Sequence, residues 1–328
     1  MKNITSLTVL VIILLSLSLP YKAHCQEENR ERNYGFSFGT QFGFVHGQSL
    51  ELVYPTDTKG ELLSELRWDM KPVFYYGAEI SFGLSDIMSR VGFFSSVSYK
   101  IGVSADSGVM EDRDWWSTEN DSLTVFSSHT NKTGEFYKLD AVIGVSFPVK
   151  SYFYIMPFIS GSWMRFSFAG RDGYGKRARD KPSSSAAYYP INDNPHEYTF
   201  SGEVIRYKQD WFLIAAGFSI GTKLLSPFYF DISFQISPLT YCTAVDEHLT
   251  SNDTYLDNTV MGLFLEPRGS FSFTMERIEF SLEFAYRYIG RTRGESYRKT
   301  NNGNYIPNGE AGAGLSFMDT RLLVKLRI

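Results

Sequence analysis

Residues 278–288 read IEFSLEFAYRY, and the alternation in this stretch decides the fold. In an extended chain Ile278, Phe280, Leu282, Phe284, Tyr286 and Tyr288 share one face, while Glu279, Ser281, Glu283, Ala285 and Arg287 share the other. The same two-residue period returns from end to end. Tyr34, Phe36, Phe38, Phe42 and Phe44 alternate with Gly35, Ser37, Gly39, Gln41 and Gly43. Phe228, Phe230, Ile232, Phe234 and Ile236 alternate with Tyr229, Asp231, Ser233, Gln235 and Ser237. Leu263, Leu265, Phe271, Phe273 and Met275 alternate with Phe264, Glu266, Ser270, Ser272 and Thr274.

A soluble sandwich would turn the apolar face inward, and a transmembrane barrel would turn it to lipid. Composition separates the two. Aromatic residues make up 16% of the chain, with 21 Tyr and 27 Phe, yet the mean hydropathy is −0.19. Only alternate residues of a membrane strand meet lipid, and aromatic girdles mark both interfaces, so this combination fits a barrel. The one long apolar run, Val9 to Leu19, follows Lys2 and is closed by Pro20. It is shorter than the roughly 20 residues a spanning helix needs and reads as an export signal. Ala23 and Cys25 sit at the −3 and −1 positions before Gln26. Lys22 stands where a lipoprotein signal requires an apolar residue, so Cys25 reads as a small cleavage-site residue. The expected division is a signal peptide over residues 1–25 and one barrel domain over 26–328. Cys242 is then the only cysteine left, which forbids an intramolecular disulfide. A net charge of −4 gives no basic surface for nucleic acid.

Breaks between the alternating runs themselves alternate in length. Short ones fall near Ser85 to Ser89, Pro148 to Ser151, Ser226 to Pro227 and Met275 to Arg277. Long polar ones fall near Pro55 to Gly60, Ala105 to Lys132, Arg171 to Phe200, Asp246 to Leu256 and Gly290 to Gly312. Four turns and five loops predict an all-β, ten-stranded antiparallel transmembrane β-barrel, with periplasmic turns and long extracellular loops. The first run, Tyr34 to Tyr54, would extend roughly 70 Å at about 3.3 Å per residue. A hydrocarbon core is about 30 Å thick, so the barrel is expected to stand well above the membrane.

Two acidic motifs fall in the long breaks and hence at one end of the barrel: MEDRDWW at 110–116 and VDEH at 245–248. A spacing of two puts Asp112 and Asp114 on one face of an extended segment, and Asp246 and His248 likewise. A carboxylate beside an imidazole orients it and stabilises its protonated form, which is a general-base arrangement. A pair of carboxylates opposite can hold the water whose proton the imidazole takes. Taken singly, loop acids and loop histidines are most often solvated surface groups. Three carboxylates and an imidazole could also hold Mg, Ca or Mn.

With both motifs in this order, the chain resembles the omptins, outer-membrane endopeptidases with an Asp–Asp couple and an Asp-x-His dyad. DRD at 112–114 and DEH at 246–248 match those two elements, and WMRFSF at 163–168 and IRYKQDW at 205–211 extend the likeness over nearly the whole chain. The resemblance implies a surface peptide hydrolase with Asp112, Asp114, Asp246 and His248 as catalytic residues. It implies water alone, with no metal and no cofactor. Glu51, in GQSLELVY at 47–54, matches the glutamate that selects a basic residue before the scissile bond, and strand parity points it inward with Gly39, Gln41, Gly43 and Gly47. Peptides or proteins at the cell surface are the expected substrates, with outer-membrane lipid, lipopolysaccharide included, as a further partner.

Three positions depart from the family pattern. Ala244 stands where a second pocket acid is expected two residues before the dyad Asp, which implies a weaker or shifted basic preference. The segment SLTVFSSHT at 122–130 is apolar, with Val125 and Phe126 where an acid is expected. Arg165 matches one member of the lipid-binding basic cluster, and Asp210 stands in place of another Arg. A catalytically idle barrel acting as an adhesin is the alternative. A pore is disfavoured, because inward residues of opposite charge would plug so narrow a lumen. One tension concerns facing. Even-numbered residues of the 228–236 run point outward, so Asp246 and His248 reach the lumen only if one extra residue intervenes, with Pro238 the expected place.

Overall fold

The computed structural model describes residues 34–54, 62–84, 91–117, 121–150, 153–182, 187–225 and 227–328. The expected signal peptide over 1–25 with its cleavage site, the expected 55–60 loop and the expected 85–89 turn lie outside the described residues.

Fourteen strands form one sheet. They are β1 (Tyr34–Tyr54), β2 (Ser64–Leu84), β3 (Gly92–Gly102), β4 (Ala105–Asp114), β5 (Val125–Lys150), β6 (Phe153–Arg177) and β7 (His196–Leu225). There follow β8 (Phe228–Ser237), β9 (Thr240–His248), β10 (Asp253–Val260), β11 (Phe264–Met275), β12 (Ile278–Ile289), β13 (Arg293–Lys299) and β14 (Tyr305–Arg327). All pairings are antiparallel, and β1 bonds both β2 and β14, so the sheet closes on itself and no long edge is left unpaired among the described residues. Six strands (β1, β2, β5, β6, β7 and β14) run the full height. The pairs β3/β4, β8/β9, β10/β11 and β12/β13 are single walls interrupted part-way, which gives a ring of 10 strands in two tiers.

The outer face of the lower tier is apolar, as the alternation requires. Ile159 and Ile214 are 64% and 61% exposed, and Phe38, Phe74, Ile80, Ile143, Phe284 and Leu322 are exposed beside them. The inner face of that tier is charged but matched. Arg287 bonds Glu266 (2.5 Å) and Ser162 (3.0 Å), Lys138 pairs with Asp140 (2.6 Å), and Arg321 pairs with Glu283 (2.7 Å) and Glu79 (3.3 Å). Lys100 pairs with Asp319 and donates to the Tyr75 hydroxyl. Above these pairs lies an aromatic layer. Trp68 stacks on Phe168 and Tyr207, each at 5.6 Å, and Phe136 stacks on Phe166 at 4.9 Å. Gly47 makes room there, because a Cβ on it would meet the Ser316 carbonyl at 2.1 Å and crowd Phe317.

The long polar breaks hold less loop than the sequence reading assigns. Asp112 and Asp114 end β4, and Asp246 and His248 end β9, so all four stand on strands and not in loops. The connections shrink to 115–124, 178–195, 249–252 and 300–304. The physical reason lies in the surface of the upper tier. Both of its faces are polar or mixed, and the apolar outer stripe that marks a strand fades there.

Candidate active site

The kink between β8 and β9 sets the direction of the dyad. Ala216 of β7 pairs with Ile236, and Leu213 of β7 pairs with Thr240, so the β8/β9 side carries one residue more than β7. Ser237 ties the bulge down: its hydroxyl donates to the Ile214 carbonyl (2.5 Å) and accepts from the Leu239 amide (2.8 Å). Facing therefore reverses at Pro238, as expected. Gln235 and Ser237 are buried below it, while Thr240, Cys242, Ala244 and Asp246 are buried above it. One extra residue aims the dyad inward.

On β9, His248 Nε2 donates to Asp246 Oδ2 at 2.6 Å, and the imidazole lies edge-on to Tyr255 at 5.7 Å between ring centres. Burial would strip its proton, but the hydrogen bond and charge of Asp246, with the charges of Asp112 and Asp253, outweigh it and raise the pKa to about 9. Across the lumen, the Ser64 hydroxyl donates to Asp112 Oδ1 at 3.2 Å. Burial pushes Asp112 up to about 6 against the pull of His248 and Ser64. Burial and the neighbouring Asp112 charge raise Asp114 well above the usual carboxylate range. Asp112 is paired with Leu66 of β2, and Leu66 with Glu51 of β1, so the couple and Glu51 share a cross-strand row. The two acidic motifs are thus brought together. The charge of His248 acts on both Asp112 and Asp114, and that of Asp246 on Asp112 and Glu51.

Among the described residues no group of three or more His, Cys, Asp or Glu side chains is arranged to hold a metal ion. The structure is thus a closed ring of ten antiparallel walls with an acid-lined rim. The omptin family model matches residues 32–327. The chain belongs to the omptin family. No curated protein sequence matches it significantly. Among solved structures, this omptin is similar to the outer membrane protease OmpT from Escherichia coli, with TM-score 0.77 at 18% identity over 90% of this chain and 97% of that one. The translocator domain of the autotransporter NalP from Neisseria meningitidis also aligns, at 9% identity over 99% of this chain and 96% of that one, but with TM-score 0.32. At that identity the OmpT match speaks for the fold, an outer-membrane barrel.

The site of this omptin contains groups that its sequence did not single out. Ser64 holds Asp112. Ser127 lies opposite Asp112 on β5, and its hydroxyl donates to His129 Nε2 at 2.9 Å, while His129 Nδ1 donates to the Asp172 carbonyl at 2.6 Å. Gln209 spans the lumen floor, accepting from Ser49 (2.5 Å) and donating to the Leu50 carbonyl (3.1 Å). Asp257 of β10 is buried opposite Ala244. Only cross-strand register reveals these neighbours. Val125 begins β5 and is buried, whereas Phe126 lies outside under Arg113, so the apolar segment at 122–130 is partly wall. On the outer face, Arg165 forms a two-bond pair with Asp210, each bond 2.9 Å, and lies over Trp163.

Proposed function

We propose that this omptin is an outer-membrane surface endopeptidase that hydrolyses peptide bonds with an activated water, preferring a basic residue before the cut. The observation that carries the reading is the His248–Asp246 bond of 2.6 Å facing the Asp112–Asp114 couple at one barrel mouth. OmpT, whose fold the chain shares, is a protease. In this mechanism Asp246 orients His248, His248 takes the proton of a water lodged against Asp112 and Asp114, and the hydroxide attacks the peptide carbonyl. The same imidazolium then returns the proton to the leaving amine. No side-chain nucleophile is needed. Glu51, beside the couple, selects the residue before the cut, and the mouth faces the outside of the cell, where peptide and protein substrates reach it. Arg165 is the lipid contact of this reading. With Asp210 matching its charge, the pair carries little net attraction for a phosphate, so outer-membrane lipid serves as solvent more than as activator.

The test is a refolded barrel with added lipid, assayed on quenched peptides that vary the residue before the cut. The wild type should cleave and should be indifferent to chelators and to serine- and cysteine-directed reagents. Asp112→Ala and His248→Ala should each lose at least about a thousandfold in kcat. Variants as active as the wild type would remove the assignment. If no peptide is cut, the idle barrel acting as an adhesin becomes the better reading.

A further inference from the structure

Asp257 belongs to no part of the mechanism above, yet it is one of the most constrained acids in the upper tier. It sits on β10, opposite Ala244 of β9 on one side and Ser296 of β13 on the other, and is 5% exposed. Its Oδ1 has no hydrogen-bond partner. Glu51 Oε2 and Asp246 Oδ1 are also buried and receive no hydrogen bond from a donor group, the Glu51 and Asp246 carboxyls lie within hydrogen-bonding reach of each other, and the residues are 2% and 3% exposed. Among the described residues the leading influences on Asp257 and Glu51 are burial and neighbouring acids, with the Ser296 hydrogen bond on Asp257, and no arginine or lysine stands among them. Every matched acid of the lower tier shows what is missing here, because Glu266, Asp140, Glu283 and Asp319 each hold a cation. Buried carboxylate oxygens without donors are costly unless a ligand supplies the donors.

The geometry points to Asp257 as a specificity-determining residue that joins Glu51 in a two-carboxylate site for the cationic side chain preceding the cut. The inference rests on the endopeptidase reading and deepens it. Ala244 offers no polar atom, and its register partner Asp257 supplies the carboxylate from the adjacent strand. The charge of Asp257 acts on Glu51, and the charges of both act on the Tyr207 hydroxyl. Burial is the leading cause that lifts Asp257 to about 7, and burial with the charge of Asp246 raises Glu51 well above the usual carboxylate range. A guanidinium offers five N–H donors in a planar fork, enough to meet orphaned oxygens on both residues at once.

The experiment uses the refolded full barrel and peptides that differ only in having arginine or citrulline, its neutral isostere, before the cut. The readout is the ratio of kcat/KM values. The wild type should favour arginine by more than about tenfold, as expected for charge-assisted bonds. Asp257→Asn keeps the shape and should cut that ratio by about tenfold. Ala244→Asp combined with Asp257→Ala moves the carboxylate across the register pair and should recover most of the ratio, which also guards against a single variant that fails to fold. If Glu51→Gln collapses the ratio while Asp257→Asn leaves it within about twofold, the role of Asp257 is overturned and the basic preference stands. A parallel loss on both peptides would mark Asp257 as structural and overturn its role too. A wild type that cuts both peptides alike would overturn the cationic preference itself.

Discussion

His248 holds its proton tightly, and that fact sets the pH behaviour of the proposed reaction. With Asp246 at 2.6 Å its pKa rises to about 9, so near neutrality the neutral base is a minor form but a strong one. Asp112, lifted to about 6 by burial, must be ionised to hold the water. The signs follow directly. A base raised to about 9 becomes available as pH climbs toward 9, and an acid raised to about 6 is lost as pH falls through 6. With a citrulline peptide, which leaves the acids of the cation site out of the comparison, kcat/KM should climb about tenfold per pH unit between 6 and 9 and about a hundredfold per unit below 6. A plateau across 6 to 9 would show that neutral His248 is not the base. Asp246→Asn should move the upper break down toward the ordinary imidazole value, with kcat lower throughout.

The bulge between β8 and β9 is the element on which the site turns. Strand parity fixes facing completely, so one residue decides whether Asp246 and His248 look into the lumen or out. The reversal recurs: Asp257 and Thr259 are buried on β10, whereas Phe264 and Glu266 are buried on β11. Hydroxyls stitch the kinks together, as where Thr240 bonds both the carbonyl and the amide of Gly262 (2.9 and 2.7 Å) and Thr292 bonds Thr259 (2.7 Å). Deleting Leu239 removes the extra residue while leaving the lower tier intact. The deletion variant should still fold, shown by heat-modifiable migration in detergent gels, and should have no peptidase activity. Cleavage at a rate near that of the wild type would rule out the bulge as the device that aims the dyad.

At the scale of the whole molecule, the lumen holds three layers from bottom to top: matched charges, aromatic packing, then the acids of the rim with His248. The lower layer locks the walls to each other. Arg287 of β12, 1% exposed, binds Glu266 of β11, Ser162 of β6 and Asp140 of β5. Removing one partner of such a cluster strands the others. Arg287→Ala should therefore cost about 3–5 kcal/mol in urea unfolding from detergent or lipid, whereas the joint change Arg287→Met with Glu266→Gln should cost clearly less. Equal losses would mean that packing, not the orphaned carboxylate, dominates.

The amino-acid sequence by itself determined the inside-out barrel and the number of walls. Each follows from a local period of two, and lipid on one face and a closed ring on the other leave that period no second interpretation. It also made both acidic motifs visible, since each couple lies within three consecutive residues. Tertiary structure alone decided which way the dyad points, that the motifs end strands, and that Ser64, Ser127 and Asp257 stand beside them. Facing depends on the exact count of residues through a kink, and neighbours depend on register between strands far apart in sequence. Both are properties of pairing, and an unpaired chain does not carry them.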